Sequence, residues 1–215
     1  MVVDKPWVAA DVKPSERVRA PALIVVDMQN DFVRVGAPLE VPDARATIDT
    51  NHALIDGFRS RNYPVVFTRF VSREEDDFFW LWTPECRPDT KCCWPGVMRR
   101  YEGCEGEVDC ADVISELAPL PGETVIDKYG YGAFHGTDLD AQLRAMGIES
   151  VVVTGTVTQI CVEETGREAF HLGYRTTLVS DAVSSYAADL EAATLKNFAL
   201  KFGWVADTET VLSWL

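Results

Sequence analysis

Asp27, Lys128 and Cys161 are an acid, a base and a thiol, each at or just past the end of an apolar run. A thiol beside a carboxylate and an ammonium group can perform nucleophilic acyl transfer. The carboxylate takes the thiol proton, and the ammonium stabilises thiolate and carboxylate together. Cys161 falls about one turn into a helix pattern that follows the strand-like run Val151-Val152-Val153. Backbone N–H groups converge at such a turn and the helix dipole favours an anion, so this thiol is expected to ionise more easily than a free cysteine. Each residue also has an inert alternative: a buried core cysteine, a solvated lysine, a loop acid.

The elements that must position these residues follow from hydrophobic periodicity. Residues 21–27 are a near-continuous apolar run ending in the acid, which reads as a strand buried on both faces. Helical spacing over 42–61 precedes a strand at 63–69, and a short helix is predicted at 112–117. A strand at 123–128 ends in the lysine. After a glycine-bearing loop, a helix is predicted over 137–146, with Thr137 as its N-cap. A strand at 150–155 leads into the cysteine helix, whose apolar positions are Cys161, Val162, Thr165, Ala169, Phe170 and Leu172. A strand at 174–180, a helix at 189–202, a short strand at 204–206 and a terminal helical turn complete the alternation. Alternating strands and helices predict a three-layer α/β/α, Rossmann-like fold with a mostly parallel six-stranded sheet. Ligands bind such sheets beyond the carboxyl ends of the strands, where strand order reverses, and all three reactive residues are predicted there.

The 215 residues suit one domain: residues 1–20 as an N-terminal arm, lying on the surface or against a neighbouring subunit, and 21–215 as the body. Residues 72–110 have no period and read as a functional excursion. Within it, Phe78-Phe79-Trp80-Leu81-Trp82 suits a lid or a subunit contact. The net charge of −14 disfavours nucleic acid and anionic membranes as partners. No apolar run is long enough to span a membrane and the N-terminus does not read as a secretory leader, so a cytoplasmic location with free thiols is expected. Five of the six cysteines (Cys86, Cys92, Cys93, Cys104 and Cys110) fall within 25 residues. Without paired C-x-x-C spacing, a zinc site among them is the lesser reading.

Three ordered motifs carry a family resemblance: LIVVDMQNDF at 23–32, VIDK at 125–128 with Ala133-Phe134, and TGTVTQICV at 154–162. Over about residues 20–205 the chain resembles the isochorismatase-like cysteine hydrolases. The resemblance implies that Asp27, Lys128 and Cys161 form a catalytic triad. It also implies a cis peptide bond at Thr156–Val157, and an oxyanion hole made of the N–H groups of Val157 and Cys161. Phe32 matches a pocket-wall aromatic of the family, and a homodimer or homotetramer is the implied assembly.

Departures narrow the chemistry. Nicotinamidases of the family bind a metal through an Asp-x-His pair and a later histidine. Here residues 67–72 read Phe-Thr-Arg-Phe-Val-Ser, and His52, His135 and His171 are far apart. No metal or cofactor is therefore expected. Family isochorismatases often lack the cysteine, so its presence favours amide chemistry. The expected activity is hydrolysis of a C–N bond in a small linear ureido or carbamoyl amide through a thioester, as in carbamoylsarcosine, ureidoacrylate, biuret and triuret amidohydrolases. The alternatives are a vinyl-ether hydrolase of the isochorismatase type and a non-catalytic small-molecule-binding member. Candidate substrate contacts are Phe32, Arg69, Gln159 and Tyr186, with Arg73 and Ser184 as further candidates.

Overall fold

The computed structural model describes residues 12–75 and 77–215; the expected arm at 1–20 lies partly outside them. In chain order the elements are α1 (Pro14–Arg17), β1 (Pro21–Val26), α2 (Asn30–Val33), α3 (Ile48–Arg59), β2 (Val65–Phe70), β3 (Met98–Arg99), β4 (Val108–Asp109), β5 (Thr124–Lys128), α4 (Leu139–Ala145), β6 (Ser150–Thr156), α5 (Glu163–His171), β7 (Arg175–Ser184), α6 (Ala188–Lys201), β8 (Trp204–Ala206) and α7 (Thr208–Trp214). Arg17 of α1 lies over the rings of Trp204 and Trp214, so this part of the arm packs on its own chain.

Six strands form one sheet in the order β5-β2-β1-β6-β7-β8, and every pairing is parallel. The central strand β1 is buried at all six positions because helices cover both sides of the sheet. Its alternation divides the core. Leu23 and Val25 pack with Leu54, Ile55 and Phe58 of α3 and Val211 of α7. Ala22, Ile24 and Val26 pack with Leu143 of α4, Ala169 of α5 and Phe198 of α6. From β1 the chain builds outward through β2 to β5, then returns to β6 on the other side of β1. The strand order therefore reverses between β1 and β6, and a crevice opens at their carboxyl ends.

Several local expectations shift. The helix predicted from residue 42 begins as a 3₁₀ turn (Pro42–Thr47) before α3, and the helix predicted at 112–117 is only a 3₁₀ turn (Ser115–Leu117). The fifth strand of the sheet, β7, is ten residues long and reaches Ser184. Thr137 accepts the N–H of Leu139 at 3.3 Å, a capping contact one residue ahead of the helix boundary. On the cysteine helix, Cys161, Val162, Thr165 and Ala169 are buried, but Phe170 and Leu172 are 41% and 38% exposed. The helix ends at His171, which leaves Leu172 in the closing turn, while Phe170 packs edge-on against Phe202.

The excursion after β2 holds two 3₁₀ turns and the antiparallel β3–β4 ribbon. It is fastened to the motif that follows β1. The N–H groups of Asn30 and Asp31 donate to Asp112 O and Cys110 O at 2.9 and 3.0 Å. Asp31 is fully buried, and its carboxylate accepts the Cys93 N–H at 2.8 Å and the Tyr101 hydroxyl at 2.6 Å.

Candidate active site

Asp27 follows β1 with φ of +50°, a left-handed conformation that aspartate adopts more readily than most residues. Its N–H donates to Thr68 O at 3.2 Å, while the Thr68 hydroxyl donates to Asp27 Oδ1 at 2.6 Å. The Gln29 side chain closes the end of β2. It donates to Phe70 O and Ala111 O at 2.9 and 2.7 Å and accepts the Phe70 N–H at 2.8 Å. The acid is thus gripped on its backbone, on one carboxylate oxygen and through the residues that follow it.

Lys128 ends β5, two strands from β1. Adjacent strands lie ~4.8 Å apart, so the lysine and aspartate side chains together bridge roughly 10 Å. The chain crosses over β2, where the Nζ lies 5.4 Å from the centre of the Phe70 ring, and reaches Asp27 Oδ2 at 2.7 Å. Lys128 Nζ also donates to Gly130 O at 3.0 Å. Lysine and aspartate are both fully buried. Nζ and Oδ2 thus form a close buried ion pair, while the Thr68 hydroxyl occupies Oδ1.

Cys161 is presented by a single π-helical turn (Thr158–Val162) that precedes α5. Such turns often occur at functional sites. The Thr156–Val157 peptide bond is cis. Cys161 is 4% exposed and interacts with both Asp27 and Lys128. Burial pushes the thiol up to about 12; the Asp27 carboxylate adds to the rise and Lys128 opposes it. This reverses the expectation of an easily ionised cysteine. Helix position favours the thiolate, but removal from water and an adjacent carboxylate outweigh it. For Lys128, burial disfavours the charge, yet the attraction of Asp27 and Cys161 prevails and its pKa is raised.

Cys161 and Val157 face a cavity of about 520 Å³. Phe32 and Tyr186 line it, as do Phe70, Tyr131 and Ile160, and the excursion contributes Trp82, Thr83 and Glu85. The 78–82 aromatic stretch therefore supplies a cavity wall through Trp82, which is still 69% exposed. Arg69 does not line the cavity. Its guanidinium pairs with Asp127 at 2.7 Å and with Asp112, because β2 alternation turns Phe70 to the cavity and Arg69 away. Gln159 does not line it either: its amide oxygen and nitrogen are buried without hydrogen-bond partners. Ser184 is buried at the end of β7, Arg73 stacks on Tyr129 at 3.6 Å, and none of the three histidines lines the cavity.

Among the clustered cysteines, Cys92 and Cys93 lie with their sulfurs 3.6 Å apart, and their ligand atoms and one from Asp31 fall within 4.8 Å of one another. Both Asp31 oxygens already accept hydrogen bonds from the excursion, which makes this cluster a brace between Asp31 and the cavity wall. Thr68, Gln29, Tyr131 and Glu85 were not singled out from the sequence. Thr68 left a signal there as a polar residue that follows the apolar run Val65-Val66-Phe67, and Gln29 lies within the motif at 23–32.

The family model for the isochorismatase domain matches residues 21–210. A ureidoacrylate amidohydrolase of Agrobacterium fabrum is 32% identical over 207 residues, covering 91% of this chain and 88% of its own length. A cysteine hydrolase structure from Pseudomonas syringae pv. phaseolicola superposes with a TM-score of 0.83 at 27% identity, covering 99% of this chain and 98% of the other. The N-carbamoylsarcosine amidase structure of Thermoplasma acidophilum gives 0.70 at 31% identity, over 88% and 96% of the two chains. No helix among the described residues is long and apolar enough to cross a membrane. The matched span includes every strand of the parallel sheet together with Asp27, Lys128 and Cys161, and the chain belongs to the isochorismatase family.

Proposed function

We propose that this protein is a cysteine-dependent amidohydrolase that cleaves a C–N bond of a small linear ureido or carbamoyl amide. The observation that carries the reading is the buried Asp27–Lys128 pair, 2.7 Å apart, beside a thiol that lines the cavity. The names of the ureidoacrylate and N-carbamoylsarcosine relatives support the amide chemistry.

Burial raises the pKa of the Cys161 thiol and Lys128 opposes the rise, so transfer of the thiol proton to Asp27 is coupled to attack. As the sulfur bonds to the substrate carbonyl carbon, Asp27 takes its proton and Lys128 holds the resulting charges in place. The carbonyl oxygen becomes an oxyanion on the N–H groups of Val157 and Cys161, where loss of one donor costs roughly 3 kcal/mol of transition-state stabilisation. The C–N bond then breaks, the departing nitrogen takes the proton from Asp27, and a thioester remains on Cys161. Asp27 next draws a proton from water, the hydroxide attacks the thioester, and the leaving sulfur recovers its proton.

The test is mass spectrometry of enzyme quenched during turnover of a ureido or carbamoyl substrate, alongside kinetics of Cys161→Ala. An acyl adduct on Cys161 and loss of ammonia release in the variant are expected. Substantial activity in Cys161→Ala would refute the nucleophile and favour acid-assisted ether hydrolysis.

A further inference from the structure

We infer that the cavity selects a substrate whose far end, away from the scissile bond, carries a positive charge: an alkylammonium or guanidinium group on a short arm. The inference deepens the amidohydrolase reading and rests on it only for the identity of the scissile end. Among the described residues the charged ones in the cavity lining are Glu40 and Glu85, and no lysine, arginine or histidine of these residues lines it. Five aromatic side chains, Phe32, Phe70, Trp82, Tyr131 and Tyr186, form much of the remaining wall. Aromatic faces combined with a carboxylate attract cations and repel anions.

Five cations of the surrounding elements make contacts elsewhere. Arg45 donates to Val33 O and to Glu40 Oε1, both at 2.7 Å. Arg69 is held by Asp127 and Asp112, and Arg73 is stacked on Tyr129. Arg99 lies 3.5 Å from Asp31 and donates to Thr90 O at 2.6 Å. Lys128 lies below the floor with Asp27. None of these is placed to receive a substrate carboxylate.

The two acids differ. Glu40 is satisfied by Arg45 and by the Gly36 N–H at 2.8 Å. Glu85 makes no ion pair among the described residues. Its own backbone is fixed, because Glu85 O accepts the Cys92 N–H at 2.9 Å and the Thr90 hydroxyl at 2.6 Å. This carboxylate, without an ion pair among the described residues and next to Trp82 and Thr83 in the cavity lining, is the recognition element for the cation.

Three ureas on matched four-carbon arms separate the charge states: a ureidobutylammonium ion, butylurea and ureidobutanoate. Their binding to Cys161→Ala, measured by calorimetry, reads selectivity without turnover. The cationic urea should bind roughly tenfold or more tightly than the anionic one, with butylurea between, and the spread should narrow in high salt. Glu85→Gln should shrink the cation-to-anion ratio within the variant itself. Equal binding, preference for the carboxylate, binding of none of the three, or an unchanged ratio in Glu85→Gln would overturn the inference. Ammonia release by the wild-type enzyme reports separately on the chemistry. Binding in the expected order without ammonia would refute amide hydrolysis and leave the charge selectivity standing.

Discussion

Replacing Lys128 with methionine keeps an unbranched side chain, one atom shorter, and removes its charge. Lys128 and Asp27 are both fully buried and 2.7 Å apart, so the substitution leaves a carboxylate in the interior with the Thr68 hydroxyl as its donor. Removing one partner of a buried pair costs about 3–5 kcal/mol, mostly because the other charge is stranded. For a chain of this size each kcal/mol lowers Tm by about 2–4 °C, so the expected fall is roughly 6–20 °C. The lysine pKa is raised in the folded protein. Its stabilisation is therefore fully present below about pH 10.4, the unfolded value, and is lost only as pH rises through the higher folded value. Neutral pH thus measures the full effect. Adding Asp27→Asn removes the stranded charge, so the double variant should be more stable than Lys128→Met alone, with a coupling energy of several kcal/mol in the double-mutant cycle. Activity should be absent from all three variants, which separates folding from chemistry. Urea unfolding of the four proteins makes the measurement. Additive costs, or a coupling under about 1 kcal/mol, would refute the idea that each charge is tolerated only because of the other.

Two further outcomes follow from packing and burial. Gly155 has φ of +102°, and a Cβ there would meet Val26 O at 2.0 Å and Val26 N at 2.7 Å, both backbone atoms of the neighbouring strand. Gly155→Ala should destabilise by about 2–5 kcal/mol through overpacking and the unfavourable φ, and should part β1 from β6 just before Asp27; unchanged thermal unfolding with full activity would contradict this. Burial also pushes the thiols of Cys93, Cys110 and Cys161 up to about 12, whereas a free cysteine ionises near pH 8.5. Above that value the unfolded chain binds fewer protons than the folded one, so stability should fall as pH rises, by up to about 1.4 kcal/mol per pH unit for each thiol. Reducing urea titrations from about pH 8 to about pH 10 should show the decline, and a flat profile would show that these thiols are not buried in solution.

Hydrophobic periodicity along the chain dictates the strand-and-helix alternation and the order of acid, base and thiol within it. Apolar runs such as residues 21–26 and 151–153 are properties of contiguous residues, and burial on both faces of a parallel sheet demands them. The polar residues that end those runs could therefore be assigned to the carboxyl edge of the sheet without coordinates. The excursion defied this reading because its course is set by distant anchors: Asp31 to Cys93 and Tyr101, and Asn30 and Asp31 to Asp112 and Cys110. Arg69 reads from the sequence as a substrate contact because its partners, Asp127 and Asp112, lie more than forty residues along the chain and are adjacent only through strand pairing and the fold of the excursion. The rise in the Cys161 pKa has the same kind of origin. Its position in a helix is local and favours the thiolate, but its burial and its contact with Asp27 exist only after the sheet has brought β1, β5 and β6 together. Secondary structure follows from periodicity along the chain, whereas charge state follows from what surrounds an atom in space, and only the tertiary structure supplies those surroundings.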